Sequence, residues 1–95
     1  ENVHPQSVTE VLETMPGIAE VHAGGVKDET TFQRIAVWAV TTRDAVGKAV
    51  TADAIRTWVR DNLADHSVPR DVHFLDKLPR NATGKVVPRL LRNSD

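Results

Sequence analysis

The six residues Ile35-Ala36-Val37-Trp38-Ala39-Val40 constrain the fold more than any other part of the chain. The run is continuously apolar and mostly β-formers, and it is short for a helix. It predicts a central strand covered on both faces. A strand with two dry faces needs layers on both sides of its sheet, so the flanking elements must supply them.

The flanks supply candidates. Val8, Val11, Leu12 and Met15 recur at i, i+3, i+4 and i+7, one face of a short helix with Pro5 near its start. Pro16-Gly17 ends it. Ala19, Val21 and Ala23 then alternate with Glu20 and His22, which predicts a strand with one wet face. Gly24-Gly25 marks a bulge or a close backbone approach. Lys27 to Thr31 reads as a connection, short enough for an antiparallel pair. Arg43 to Val50 reads as a loop. Thr51 can cap a second helix in which Ile55, Val59 and Leu63 repeat every four residues, with Trp58 beside them, ending near Asp65. Val68-Pro69 breaks the chain. Val72, Phe74 and Leu75 make a short strand, Asp76 to Lys85 a long polar loop, and Pro88 opens a last short helix. The order is α-β-β-α-β-loop-α. It predicts an α+β fold, a small and mostly antiparallel sheet of about three strands with helices packed on it.

Composition narrows the function. The chain has 95 residues, 12 Lys+Arg against 13 Asp+Glu, and no cysteine. Disulfides, cysteine-bound zinc, iron–sulfur clusters and thiol catalysis are excluded together. No apolar run approaches the ~20 residues of a membrane helix. A near-neutral total argues against a nucleic-acid binder. A domain of this length buries little more than ~60% of its extended-chain surface and holds one core but no deep enclosed cleft. It begins at Glu1 without Met or a signal-like stretch, so the expectation is one domain, 1–95, cut from a longer chain. The charge is also uneven. Residues 1–65 carry six Lys/Arg against ten Asp/Glu, and residues 66–95 carry six against three. The bland reading is a solvated surface; the sharper one is that the C-terminal third faces an anion.

Most candidate chemistry is weak. His4, His22, His66 and His73 lack a short metal-ligand spacing, which gives no metal site. The serines fit no nucleophile elbow. The strongest local feature is Leu78-Pro79-Arg80-Asn81-Ala82-Thr83-Gly84-Lys85. It is no Walker loop: Pro79 stands at the first glycine position and Val86 replaces the Ser/Thr that would hold Mg²⁺. Arg80, Asn81 and Thr83 still offer polar donors, Gly84 permits a tight backbone, and Lys85 is a mobile point charge suited to an anionic transition state. A solvated lysine on an ordinary surface turn is the competing reading.

These residues resemble a known family. Pro79 to Lys85 looks like the P-x-x-x-x-G-K signature near the C-terminus of the adenylate-forming enzymes: acyl-CoA synthetases, adenylation domains of nonribosomal peptide synthetases, and luciferases. Glu1-Asn2-Val3-His4-Pro5 resembles the E-N-[IV]-[YH]-P segment that opens their small C-terminal domain. Pro16 to Val21 resembles H-P-x-V-x-E, and Leu63, Val68-Pro69-Arg70 and Phe74 resemble L-x-x-[YF]-K-x-P-x-x-[VI]-x-F. Asp76 and Leu78-Pro79 follow in register. The wording is most similar to the acyl- and aryl-CoA ligases.

The resemblance implies a two-step reaction. A carboxylic acid attacks the α-phosphate of ATP to give an acyl-adenylate and pyrophosphate, and the CoA thiol then displaces AMP. A large N-terminal domain in cis would bind most of the ATP, Mg²⁺ and the acid. The small domain would be a mobile lid, inactive as an isolated chain, in a cytoplasmic enzyme of fatty acid metabolism. Lys85 matches the catalytic lysine of adenylation, with Arg80, Asn81, Thr83 and Gly84 forming its phosphate loop. Arg70, His66 and Thr31 match positions facing CoA. Thr31 and Phe32 replace a common Trp-Gly pair, and His66 and Ser67 replace a common aromatic-Lys pair. The alternatives are the lid of an enzyme that loads a carrier protein or stops at the acyl-adenylate, and a stand-alone non-catalytic binding module.

Overall fold

In the computed structural model, residues 4–27 and 33–91 are described. Helix α1 spans Pro5–Glu13, strand β1 Ile18–Lys27, β2 Gln33–Thr41, helix α2 Ala45–Lys48, α3 Ala52–Asn62 and strand β3 Asp71–Phe74. Short 3-10 turns cover Asp65–Ser67 and Pro88–Leu90. Together the elements form the expected α+β fold around one three-stranded sheet, ordered β1-β2-β3.

The apolar run of β2 lies at the centre of that sheet and is dry on both faces. Ile35, Val37 and Ala39 join Val8, Leu12, Met15, Val21, Ile55 and Val59 in a core between the sheet and helices α1 and α3. Ala36, Trp38 and Val40 face the other way and are covered by Leu78 and Leu91, with Leu75 and Val86 at the margin. The alternation of successive side chains along a strand therefore feeds two separate clusters.

Sequence logic explains each helix. Pro5 opens α1, where a missing N–H costs nothing. The Thr51 hydroxyl caps α3 by accepting from the Ala54 N–H at 3.0 Å. Trp58 packs against the main core, and its indole N–H donates to the Val11 carbonyl at 3.0 Å, tying α3 to α1. The Thr9 hydroxyl accepts from the Ala23 N–H at 2.9 Å, so α1 satisfies a backbone donor on edge strand β1.

Five details depart from the sequence reading. First, only β1 and β2 are antiparallel; β2 and β3 pair in parallel, Ala36 opposite Asp71 through Ala39 opposite Phe74. A parallel neighbour requires a crossover, and residues 42–70 with α2 and α3 provide it. Second, residues 43–50 are not a plain loop. Asp44 starts α2 by accepting from the Gly47 N–H at 3.0 Å, and the Thr42 hydroxyl donates to the same carboxylate at 2.6 Å. These bonds, the Thr42 one foremost, hold the Asp44 carboxyl below its ordinary pKa. Third, the β1 irregularity falls between Ile18 and Glu20, and Gly24 and Gly25 stay in register with Ala36 and Ile35. Fourth, α3 ends at Asn62, which leaves Leu63 at the cap, 39% exposed. Fifth, the last helix is a single 3-10 turn; Leu90 points outward while Leu91 is buried.

Candidate functional site

The segment after β3 is not slack. Leu78 is buried against Trp38 and its neighbours, and Val86 packs on the margin of the same cluster. Between these two anchors the chain makes a tight hairpin. Arg80 and Val86 form an antiparallel bridge. The Asn81 N–H donates to the Lys85 carbonyl at 2.8 Å, and the Gly84 N–H donates to the Asn81 carbonyl at 3.0 Å. Gly84 has φ +88°, the left-handed conformation that glycine adopts without penalty. A turn followed by a left-handed glycine is a standard three-residue hairpin loop. The Gly84 of the sequence motif is thus the residue that this turn needs.

Asn81 organises the turn from inside. Its side-chain Oδ1 accepts from the Thr83 N–H at 3.0 Å, the Thr83 hydroxyl at 2.8 Å and the Lys85 N–H at 2.9 Å. Such Asx bonds compete with solvent for backbone donors and stiffen the loop. Arg80 works from outside. Its Nη1 donates to the Gly84 carbonyl at 2.8 Å, while Nε and Nη2 reach Glu20 Oε1 at 3.1 and 2.6 Å. Lys85 follows directly. Its side chain is exposed, and its ammonium has no acidic partner among the described residues. A cation on a stiff turn, not neutralised by a neighbour, can be offered to a phosphate or carboxylate from outside the domain.

The structure brings Arg80, Asn81, Thr83, Gly84 and Lys85 into this one turn. It places Arg70 and His66 elsewhere. His66 is exposed on the 3-10 turn Asp65–Ser67, whose Ser67 is buried. Arg70 precedes β3, its N–H donating to the Ile35 carbonyl at 2.9 Å. The Lys85 turn is tied by Arg80 to Glu20, which pairs with Val40. Ile35 and Val40 are five residues apart on β2, about 16 Å along a strand. Arg70 and the Lys85 turn therefore lie toward opposite ends of β2. Thr31 lies outside the described residues, as do Glu1, Asn2 and Val3. Among the described residues no group of three or more His, Asp or Glu is placed to hold a metal ion. No helix among them is long and apolar enough to cross a membrane.

Glu20 was not a candidate from sequence. It read as one residue on the wet face of β1, and its partner Arg80 is 60 positions away. The row His22-Trp38-His73 also appears only in three dimensions. The rings sit on register partners of the three strands, with centroids 6.2 and 5.5 Å apart. Burial pushes the His22 pKa below its ordinary value.

Residues 7–85 match the family model of the AMP-binding enzyme C-terminal domain. The chain is 41% identical over 92 residues to 4-chlorobenzoate–CoA ligase of Pseudomonas sp. strain CBS-3, covering 96% of this chain and 17% of that protein. Its structure superimposes on Mycobacterium tuberculosis fatty acyl CoA synthetase with TM-score 0.83 and 32% identity, over 97% of this chain and 18% of that one. It also superimposes on the amide bond synthetase McbA from Marinactinospora thermotolerans with TM-score 0.85 and 28% identity, over 96% and 18%. The chain spans less than a fifth of the curated relatives that it matches. Over its whole described fold, this chain belongs to the family of AMP-binding enzyme C-terminal domains, and its relatives are acyl- and aryl-CoA ligases.

Proposed function

We propose that these 95 residues are the lid domain of an ATP-dependent acyl-CoA ligase and that Lys85 serves its adenylation step. The observation that carries this reading is the Lys85 turn: rigid backbone, left-handed Gly84, and an exposed ammonium without an acidic partner among the described residues. An attacking carboxylate and the α-phosphate of ATP repel each other. A lysine bridging their oxygens offsets that repulsion as charge concentrates in the transition state, and it aligns the attack. Thr83 and Arg80 also shape the turn: the Thr83 hydroxyl donates to Asn81 and Arg80 Nη1 to the Gly84 carbonyl, while the remaining guanidinium N–H groups can still meet a phosphate.

Most of the ATP, Mg²⁺ and the acid would be held by a larger N-terminal domain in the same enzyme. That domain would also select the acid. The separation of the two residue groups supports a lid that rotates between half-reactions. One end of the sheet would offer Lys85 for adenylation; the other would offer Arg70, with His66 as a further contact, when CoA attacks. A rotating lid can insert a cation for one step and withdraw it for the next. The isolated chain would form no thioester.

The relatives favour CoA as the acceptor, since the curated ones are named as CoA ligases or acyl-CoA synthetases. The likeness to an amide bond synthetase favours, as a second reading, an enzyme that passes the acyl-adenylate to a different nucleophile. In the complete ligase, Lys85→Ala should slow acid-dependent ATP–pyrophosphate exchange by about 10²- to 10³-fold. Thioester formation from supplied acyl-adenylate and CoA should remain near wild type. Exchange at the wild-type rate would refute the role of Lys85. Supplied adenylate that reacts with amine but not CoA would favour the second reading.

A further inference from the structure

We infer that Glu20 is a positioning residue for Lys85, acting through Arg80; the inference rests on the adenylation role proposed for that lysine. The guanidinium of Arg80 bridges two places. On one side it holds the Glu20 carboxylate of β1, at 3.1 Å from Nε and 2.6 Å from Nη2. On the other it holds the carbonyl of Gly84, at 2.8 Å from Nη1. That carbonyl belongs to the peptide unit joining Gly84 to Lys85. Rotating this peptide would swing the Cα–Cβ direction of the lysine, so the atom that Arg80 grips is the one that aims Lys85.

Among the described residues no other hydrogen bond reaches that carbonyl, although the N–H of the same peptide unit donates to Asn81 Oδ1 at 2.9 Å. A Cβ built on Gly84 would meet no atom within 4 Å, so among the described residues no side chain packs over this corner. The Asn81 bonds fix the shape of the turn from within but do not tie it to the sheet. The tie to the sheet at the turn's own edge is Arg80 to Glu20. The register of β1 shifts between Ile18 and Glu20, immediately before the carboxylate that Arg80 holds. Such irregularities re-aim side chains at strand ends. Glu20 also lines an open cleft with Lys77, Leu78, Pro79 and Arg80.

The pair is partly exposed, 41% for Arg80 and 32% for Glu20. A pair this exposed adds little to global stability. Its effect should therefore appear in the orientation of Lys85 rather than in folding. In the complete ligase, Glu20→Ala should lower the turnover of pyrophosphate exchange about two- to fivefold, the range set by a partly exposed ion pair. The KM values for ATP and acid should hold. Glu20→Gln, which keeps an acceptor oxygen, should recover much of the loss. Thioester formation from supplied acyl-adenylate should not change. In a Lys85→Ala background, Glu20→Ala should cause no further loss, because there is no ammonium left to aim.

The inference is overturned if Glu20→Ala leaves exchange at the wild-type rate while Lys85→Ala cripples it. It is equally overturned if Glu20→Ala slows both half-reactions alike, or costs as much without Lys85 as with it. If Lys85→Ala itself leaves exchange intact, the role of the lysine fails, and the positioning role falls with it.

Discussion

Gly47 lies inside α2, where helix propensity alone says that alanine should stabilise by about 1 kcal/mol. The packing reverses the sign. A Cβ built on Gly47 would stand 1.8 Å from the Thr42 carbonyl oxygen and 2.5 Å from its carbonyl carbon, where real Cβ contacts are not found under 3.0 Å. The gap must open by more than about 1 Å in an interior packed at crystal density. Thr42 has little room to retreat. Its N–H donates to the Gly17 carbonyl at 2.8 Å and its hydroxyl to Asp44 at 2.6 Å. Retreat of α2 is opposed too, since Asp44 accepts from the Gly47 N–H at 3.0 Å. Overpacking against backbone costs about 3 kcal/mol, and offsetting the helix gain leaves a net loss of about 2 kcal/mol. For a domain of this size that lowers the melting temperature by roughly 8–16 °C. Thermal and urea unfolding of the 95-residue chain, followed by far-UV circular dichroism, reads this directly. The urea midpoint should fall with an unchanged m-value. A Gly47→Ala variant as stable as wild type, or more so, would refute the reasoning.

Two further outcomes can be checked. Gly84→Ala meets no steric obstacle but forces a side chain into φ +88°, at a cost of about 1–2 kcal/mol in the turn. In the complete ligase it should slow pyrophosphate exchange while the melting temperature moves little; unchanged exchange would break the link between this turn and adenylation. Burial lowers the His22 pKa, so the unfolded chain takes up its proton near 6.5 and the folded chain only at lower pH. Its contribution is present above the unfolded pKa and fades as pH falls from about 6.5 through the folded value. A His22→Leu variant should show a flatter stability curve between about pH 7 and pH 5; identical pH slopes would count against it.

Much of the candidate site was legible because the turn is local. Pro79, Gly84 and Lys85 stand together in sequence, and the left-handed glycine, the Asn81 bonds and the exposed lysine all arise within five residues. The resemblance to adenylate-forming enzymes rested on those residues together with Glu1 to Pro5, Pro16 to Val21 and the stretch from Leu63 to Leu78, and the family comparison agrees with it. Arg80 was legible as a polar donor, but not as a clamp. Its carboxylate partner is 60 residues away, and nothing near Glu20 announces that β1 will pass beside the turn.

The same division runs through the fold. Periodicity reports which face of an element is dry, so the two helices and the doubly covered β2 could be read from the chain. Thr51 could be read as a cap because the bond it makes spans three residues. Pairing is different. Whether β3 joins β2 in parallel depends on the path of residues 42–70 through space. The bulge at Ile18–Glu20 depends on how β1 meets β2, and the close approach of Gly47 to Thr42 on how α2 folds back. The central run Ile35–Val40 fixed that both faces of the sheet would be covered. Only the tertiary structure decided what covers each: two helices on one side, and on the other the segment that carries Lys85. Hydrophobic burial is non-directional, so a sequence can demand a cover without naming it.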